Sequence, residues 1–340
     1  MFSKPRIPVG RILTEGALPS RAQRALYRRR GYRIADDVTF APGVVIEGEE
    51  VEIGAGSSFG FGTVIRGRRI RIGRRVDIGS ACIFEGGDIL IGDDTVVREQ
   101  VFVGGPLLPD SLLELGKRVR IFQTCFLNPS RPLRIGDDTG LGGRSSIFTH
   151  GSWQSILDGY PVVFEPVTIG KNVWLPWHVF ILPGVELGDN ATIGAGSVVN
   201  RSIPAGALAA GVPAKVLKSP EEWPRPIDEE ERWRLARAIV EQFGAYLRHR
   251  GVEAVLTEDE HRVAIRFERD GRNRSIELIR AGDGATGGDI VLQLTGRPER
   301  GRSWFALGER IKGGESDEVS TETDQFLSRY GLRFVPFDEL

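Results

Sequence analysis

Residues 167–199 read VTIGKNVWLPWHVFILPGVELGDNATIGAGSVV, and this stretch contains the pattern that decides the fold. An apolar residue recurs at every sixth position, and a small residue stands four places after many of them, as Ser197 does after Ile193. The recurring residues are Ile169, Leu175, Ile181, Leu187, Ile193 and Val199. The same period extends back to Ile34 in groups of three. Self-similarity at a fixed short period indicates a repeat fold.

A period of six in groups of three predicts a triangular coil with three short strands per turn. One residue of each strand points inward, and successive turns pair through backbone hydrogen bonds about 4.8 Å apart. No single turn buries its apolar face alone, so the stack provides the stability. Ordinary hairpins would instead show alternation of period two with regular turn dipeptides. The sequence therefore predicts a parallel β-helix over residues 34–218.

Insertions interrupt the repeat at one position in the turn. Each follows the third apolar residue of a turn, namely Val103, Leu127 or Ile147. The inserted segments are 104–114, 128–134 and 148–168. We therefore expect them to leave from one corner of the coil, which we call the insertion edge. Insertions on one face of a repeat protein usually mark the face that functions.

Composition limits the classes of partner. The 340 residues include 45 Lys and Arg and 46 Asp and Glu, a net charge of −1, which favours neither nucleic acid nor an acidic membrane as partner. No apolar run is long enough to span a bilayer, and the start MFSKPRIPVGR lacks an apolar signal core, so we expect a cytoplasmic protein. Cys82 and Cys125 occupy small inward positions and are expected to be buried, reduced thiols.

Three further segments flank the predicted coil. Residues 1–33 are interpreted as a cap on its open end, and the proline-rich residues 219–227 as a linker. Residues 228–340 predict a small α+β domain whose role the sequence does not assign. Its first helix begins at Asp228 and ends near Gly251, and Asp270-Gly271 predicts the turn of a hairpin. The apolar stripe of that helix is predicted to be Leu235, Ile239, Phe243 and Leu247.

Among the four histidines, His150 is the candidate catalytic residue. It stands at the head of the longest insertion, where a rigid coil would support it. His178 is expected to face solvent, and His249 and His261 to be exposed outside the coil.

Residues 150–218, from HGSWQ to AKVLK, resemble the hexapeptide-repeat acyltransferases. The resemblance is greatest to the galactoside and maltose O-acetyltransferases and the polysaccharide acetyltransferases beside them. It implies a left-handed parallel β-helix, a homotrimer, and transfer of an acyl group, normally acetyl from acetyl-CoA, to a hydroxyl or amine. The acceptor implied is a small molecule or a glycan.

The resemblance also implies site residues. His150 matches the family's general base, a role that typically contributes about 10²–10⁴ in rate. A carboxylate that orients the imidazole is expected in the loop, at Asp158 or Glu165. The positions that match the CoA site are Trp174 beside the pantetheine arm, Ala195 at its amides, Gly211 and Pro213 in the closing turn, and Lys215 and Lys218 at the phosphates.

Two departures from the family pattern bear on the ligands. Trp174-Leu175-Pro176-Trp177 stands where the family usually has Trp-Ile-Gly, and the proline and the second tryptophan alter the corner beside the pantetheine arm. The asparagine that the galactoside branch carries one turn before the histidine aligns with Thr124, which does not favour galactosides.

The resulting interpretation is a CoA-dependent O-acetyltransferase acting on a sugar or glycan precursor. N-acetylation of an amino sugar and a nonenzymatic β-helix scaffold are the alternatives. Zinc carbonic anhydrases of this coil need three histidines on adjoining turns. Only His150 and His178 lie in the repeat, so no metal is predicted.

Overall fold

A computed structural model describes residues 7–280, 288–298 and 302–337 of the chain. Residues 1–6, where the predicted cap begins, lie outside the described residues. The chain divides into two units, 1–225 and 226–340. We call them the coil unit and the second unit.

The coil unit is a parallel β-helix of three sheets, which confirms the predicted coil. The first sheet contains Arg33–Ile34, Glu50–Ile53, Arg69–Ile72, Asp88–Ile91, Leu112–Leu115, Leu133–Ile135, Val167–Ile169 and Glu186–Leu187. The second contains Thr39–Phe40, Ser58–Phe59, Asp77–Ile78, Val96–Val97, Arg120–Ile121, Gly140–Leu141, Trp174–Leu175, Thr192–Ile193, Leu208–Gly211 and Ala214–Lys218. The third contains Val45–Glu47, Val64–Arg66, Ile83–Glu85, Phe102–Val103, Phe126–Asn128, Ser146–Phe148, Phe180–Ile181 and Val198–Val199.

The apolar residues of the six-residue period form the core of the coil. Ile78, Leu141 and Ile193 are fully buried, and Ile34 at the first turn is the most accessible member, with 7% exposed. Each stacks on its equivalent in the next turn, as Ile78 does on Val97 through the parallel register. Full burial of such a side chain is worth about 1.5–3 kcal/mol relative to exposure. The stack of turns therefore shares one continuous core.

Small inward residues bind the backbone at the corners. The Ser57 hydroxyl donates to the Gly73 carbonyl oxygen at 2.8 Å and accepts from the Val76 N–H at 3.1 Å. These bonds satisfy backbone groups that the tight corner leaves outside the sheets. Cys82 and Cys125 stand at equivalent positions as free, buried thiols, which confirms the prediction for them. Burial raises the pKa of each thiol to about 11.

Two helices precede the coil, α1 (Val9–Thr14) and α2 (Ser20–Arg29). Gln23 and Tyr27 of α2 are fully buried against the first turn. The Gln23 amide donates to the Val44 carbonyl oxygen at 2.6 Å, and the Tyr27 hydroxyl accepts from the Ile46 N–H at 3.0 Å. These bonds satisfy backbone groups that would otherwise be unpaired at the end of the stack.

All three insertions leave where the chain passes from the third sheet to the first, as predicted. The longest begins with a two-stranded antiparallel ladder, His150–Gly151 with Val163–Phe164, and contains a 3-10 helix at Ile156–Asp158. Its base is thereby fixed to the coil.

The second unit contains helices α3 (Glu229–His249) and α4 (Glu318–Ser328) and a mixed sheet. Its strands, in sheet order, are Ala254–Glu258, Arg262–Arg269, Arg272–Ile279, Ile290–Gln293, Ser303–Ala306, Ile311–Gly314 and Val335–Pro336. The predicted hairpin is present, and Asp270 and Gly271 both adopt positive φ in its two-residue turn.

The predicted stripe of α3 was wrong at its N-terminal half. Leu235 is 42% exposed, whereas the buried face carries Trp233, Ala236, Val240, Phe243 and Leu247. A strict spacing of four residues advances about 40° per step around a helix of 3.6 residues per turn, so it leaves the buried face. Asp228 caps α3 as expected, with its carboxylate accepting from the Glu231 N–H at 2.7 Å.

No helix in the described ranges combines the length and apolar character that crossing a bilayer requires.

Candidate functional site

His150 stands at the insertion edge, two residues beyond the third-sheet strand Ser146–Phe148. It pairs with Phe164 in the ladder that closes the base of the long loop. The backbone on both sides of the ring is therefore held by sheet hydrogen bonds, and the imidazole is presented from a rigid support.

The His150 ring is half-buried and stacks on Phe164, with 5.5 Å between the ring centroids and 21° between the planes. Burial lowers the pKa of His150 below its ordinary value, because the charged form loses hydration. Burial therefore favours the neutral form of the imidazole, which can accept a proton.

The polar partner of the ring is a serine that the sequence did not indicate. The Ser130 hydroxyl oxygen lies 3.4 Å from His150 Nδ1 and 2.7 Å from Asn128 Oδ1. The Ser130 N–H also donates to Asn128 Oδ1 at 3.1 Å. Both residues are buried, and they belong to an insertion whose Asn-Pro-Ser sequence is typical of a turn.

Neither expected carboxylate occupies the position next to the ring. Glu165 points at Gly184, where a Cβ would come within 2.0 Å of its Oε2, and its N–H donates to the Thr149 carbonyl oxygen. Asp158 ends the exposed 3-10 helix. The orienting group beside Nδ1 is therefore the Ser130 hydroxyl, and the expected orientation by Asp158 or Glu165 was wrong.

Thr124, which is predicted to align with the asparagine of the galactoside branch, lies at the corner between the second and third sheets, whereas His150 lies at the insertion edge. Thr124 lies exposed at the opposite end of its strand, in a corner with φ of 58°. The strand register pairs Asn128 with Phe148, so Asn128 is the residue one turn before the segment that carries His150.

The long loop exposes large apolar side chains beside His150. Trp153 and Leu157 are 97% and 93% exposed, and Ile156 and Tyr160 are also accessible. Ser155 caps the 3-10 helix between them, accepting from the Leu157 N–H at 3.1 Å. The loop thus presents an apolar surface to its surroundings in this single chain.

The residues matched to the CoA site lie elsewhere on the coil, beginning with Trp174 on the second sheet. Its ring is 38% exposed and covers Gly140, where a Cβ would come within 2.8 Å of it. Phe122 lies edge-on at 6.5 Å between ring centroids. The unusual Trp177 follows at the next corner and covers Gly143 in the same way. Glycines on the neighbouring turn therefore make room for both indoles.

Ala195 and Gly211 share one corner with Trp177. This corner joins the second sheet to the third, and we call it the donor edge. The Gly196 N–H donates to the Trp177 carbonyl oxygen at 3.0 Å, which places exposed Ala195 one turn above the indole. The Gly211 N–H donates to the Ser197 hydroxyl at 3.0 Å, and Gly211 adopts φ of 108°, a conformation that favours glycine.

The last two strands of the second sheet carry the remaining matched residues. Leu208–Gly211 and Ala214–Lys218 form an antiparallel hairpin with Pro213 in its turn. Lys215 pairs with Ala210 and is exposed. The Lys218 ammonium lies 5.4 Å above the Trp223 ring, and that indole N–H donates to the Thr192 hydroxyl at 3.2 Å. The Lys218 ammonium thus already makes a cation–π contact within the chain.

Within one chain, His150 and the residues matched to the CoA site lie apart. His150 lies at the insertion edge, whereas Trp174, Ala195 and Gly211 lie on the second sheet and the donor edge, on the other side of the third sheet. His178 faces solvent at the donor edge, as expected. In the part of the chain that the structure describes, no group of three or more His, Cys, Asp or Glu could hold a metal ion.

The repeat of the coil unit is similar to that of known proteins. Residues 166–201 match the family described as "Bacterial transferase hexapeptide (six repeats)". The galactoside O-acetyltransferase of Escherichia coli (strain K12) is 57% identical over 120 residues, covering 32% of this chain. By sequence, the coil unit is similar to hexapeptide-repeat acetyltransferases. The alignment spans 58% of that relative's length.

Solved structures of acetyltransferases also match the chain. A polySia specific acetyltransferase is 18% identical with a TM-score of 0.42, covering 64% of this chain and 99% of that one. A hexapeptide-repeat acetyltransferase of Vibrio cholerae O1 biovar eltor, complexed with acetyl coenzyme A, is 19% identical with a TM-score of 0.30, covering 64% and 91%.

Proposed function

We propose that this chain is an acetyl-CoA-dependent O-acetyltransferase whose acceptor is a sugar or glycan precursor and whose general base is His150. The observation that carries the proposal is the half-buried imidazole that the ladder with Phe164 fixes at the insertion edge of a hexapeptide-repeat coil. The proposal assigns 34–218 to the acyltransferase domain, with the coil left-handed as in the family, and leaves 228–340 without a role.

The chemistry follows from the weakness of the nucleophile. A sugar hydroxyl is poorly nucleophilic at pH 7, so a base must take its proton as the oxygen attacks the thioester carbonyl. His150 accepts that proton, the carbon–sulfur bond breaks, and CoA leaves as the thiol after the proton returns to its sulfur. The acetyl group moves directly to the acceptor oxygen, without a covalent enzyme intermediate.

The coenzyme is assigned to the donor edge and the adjoining second sheet. The flat Trp174 ring and the unobstructed backbone at Ala195 and Gly211 suit the pantetheine arm. Pro213 shapes the closing turn, and Lys215 and Lys218 supply positive charge for the phosphates.

A second copy of the chain completes the proposed site. Because His150 and the donor edge lie on different sides of one coil, direct transfer requires the donor edge of a neighbouring chain to face the insertion edge of the first. A head-to-tail contact of this kind closes into a ring. This supports the homotrimer that the family resemblance implies.

The decisive experiment follows thiol release from acetyl-CoA with the full chain and a panel of nucleotide sugars, amino sugars and glycans. Acceptor-dependent release is expected, and His150→Ala should abolish it while retaining the oligomer. His249→Gln, at the exposed end of α3, is the matched control and should keep full activity. Full activity in His150→Ala would refute the assignment of the base.

The same reaction distinguishes O- from N-acetylation. Alkaline hydroxylamine removes an acetyl ester and leaves an acetamide intact, so treatment of the product identifies the acceptor atom. Recovery of an acetyl amino sugar would replace the O-acetyltransferase by the N-acetyltransferase alternative. No release with any acceptor would favour the nonenzymatic scaffold.

A further inference from the structure

We infer that Asn128 and Ser130 fix the tautomer of His150, keeping the hydrogen on Nδ1 and leaving Nε2 bare as the basic atom. The inference deepens the proposed function and rests on it. Ser130 and Asn128 are positioning residues, since they act on the reaction through the imidazole. The argument depends on how the hydrogens must be distributed among three side chains.

The orientation of the Asn128 amide is set by the backbone. The Ser130 N–H lies 3.1 Å from the amide atom that faces it, and an N–H can bond only to an acceptor. That amide atom is therefore Oδ1, not the NH₂ group, although the two are nearly isosteric. The turn itself is held from outside, because the Thr149 hydroxyl donates to the Asn128 carbonyl oxygen at 2.8 Å and accepts from the Arg131 N–H at 2.9 Å.

The single proton of the Ser130 hydroxyl is committed to Asn128. The two oxygens are 2.7 Å apart, which is the ordinary length of an O–H···O hydrogen bond. Oδ1 carries no hydrogen, so the proton in this bond comes from Ser130. The alternative contact of the hydroxyl, to His150 Nδ1, is longer at 3.4 Å and competes poorly for the same proton.

Ser130 consequently offers His150 only a lone pair. Nδ1 must carry a hydrogen to bond to it, and a neutral imidazole has one N–H, so Nε2 is unprotonated. Stacking on Phe164 keeps the ring plane fixed. When Nε2 takes the proton of the substrate hydroxyl, the imidazole becomes cationic. The hydrogen bond from Nδ1–H to Ser130 then strengthens, because its donor is charged.

Burial makes the arrangement selective. Ser130 is fully buried and Asn128 is 2% exposed, so bulk water does not offer the hydroxyl another acceptor. A buried hydroxyl or amide left unpaired costs free energy, which maintains the chain of bonds from the amide to the imidazole.

Nitrogen NMR of full-length protein labelled with ¹⁵N-histidine tests the inference without reference to activity. Above the titration of the ring, the His150 signals, assigned by their loss in His150→Gln, should show hydrogen on Nδ1 and none on Nε2. In Ser130→Ala the Nδ1–H loses its acceptor, and a substantial Nε2–H population should appear. Detection of the Nε2–H form as the main species in the unaltered protein would overturn the inference.

Asn128 variants supply a matched pair. Asn128→Asp retains an oxygen acceptor for both Ser130 donors and should keep the Nδ1–H form. Asn128→Leu removes the acceptor, frees the hydroxyl to donate to Nδ1 and should shift the ring to the Nε2–H form. The same tautomer in both variants would contradict the role given to the amide.

Kinetics separates positioning from folding. Ser130→Ala should lower kcat about 10- to 100-fold, a part of what a general base contributes, with the KM of both substrates changed less than twofold. Ser57→Ala removes an equally buried hydroxyl far from His150 and should leave kcat unaltered. Equal losses in both variants would indicate a structural role only. An inactive unaltered protein with the Nδ1–H tautomer would refute the proposed function but not the tautomer.

Discussion

Phe164 covers one face of His150, and the two residues are also register partners in the ladder at the base of the long loop. The same pair therefore fixes the backbone and buries the ring. Desolvation by burial lowers the pKa of His150, and the Phe164 ring stacks on the imidazole. Activity at mildly acidic pH should depend on this aromatic residue.

Phe164→Ala should move the acidic limb of the kcat/KM profile to higher pH. The base works when neutral, and exposure of the ring raises its pKa toward the ordinary value, so more of it is protonated at pH 6. At pH 8 the imidazole is neutral in both the unaltered protein and the variant. The loss of ring orientation in the variant should still lower kcat by about 10-fold. Phe164→Tyr keeps the stacked ring and should keep the profile. If the acidic limb of the profile stays at the same pH in Phe164→Ala, other residues must bury the His150 ring.

The two thiols should be inert in the folded protein. Burial raises the pKa of Cys82 and Cys125 to about 11, so almost none of the reactive thiolate exists at pH 8. Titration with a disulfide reagent should detect neither thiol in buffer and both in denaturant. Rapid reaction of either in the native protein would show that the corresponding corner opens.

The coil could be predicted from sequence because each of its turns obeys the same local rule. Every inward position demands an apolar residue by itself, and the period places those positions without knowledge of distant contacts. Ile78 and Ile193 are 115 residues apart and are buried for the same reason, so the repeat can be recognised from sequence alone. The α3 stripe failed because several apolar residues lie on more than one face, and packing alone selects among them.

The surroundings of His150 could not be predicted in the same way. Ser130 stands 20 residues before the histidine, and it reaches the ring only because the 128–134 insertion forms a buried turn at the same edge. Periodicity says where an insertion begins and not how it folds. The role expected of Asp158 or Glu165 assumed that an orienting group must lie in the same loop as the histidine.

The two lysines matched to the CoA phosphates should contribute unequally. Lys215 is exposed, whereas the Lys218 ammonium already lies over the Trp223 ring. Lys215→Ala should raise the KM for acetyl-CoA several-fold at low salt and less at high salt, because screening weakens the attraction. Lys218→Ala should have the smaller effect.

Lys171→Ala is the control for these lysines. Lys171 is equally exposed but lies at the corner between the first and second sheets, away from the donor edge, so its removal should leave the KM unchanged. An increase of the same size in all three variants would reflect the net charge of the protein, and no increase in Lys215→Ala would remove that residue from the site.

Truncation of an inward residue should destabilise the coil unit far more than truncation of the same apolar chemistry on the long loop. Ile121 is 1% exposed and Leu157 is 93% exposed. Ile121→Ala leaves a cavity between turns and should cost about 2–5 kcal/mol of unfolding free energy. Leu157→Ala should cost less than about 0.5 kcal/mol. Both cysteines lie in the coil unit, so pulsed thiol labelling along a denaturant series reports the unfolding of that unit alone. Equal midpoints for the two variants would contradict a single core shared by the stacked turns.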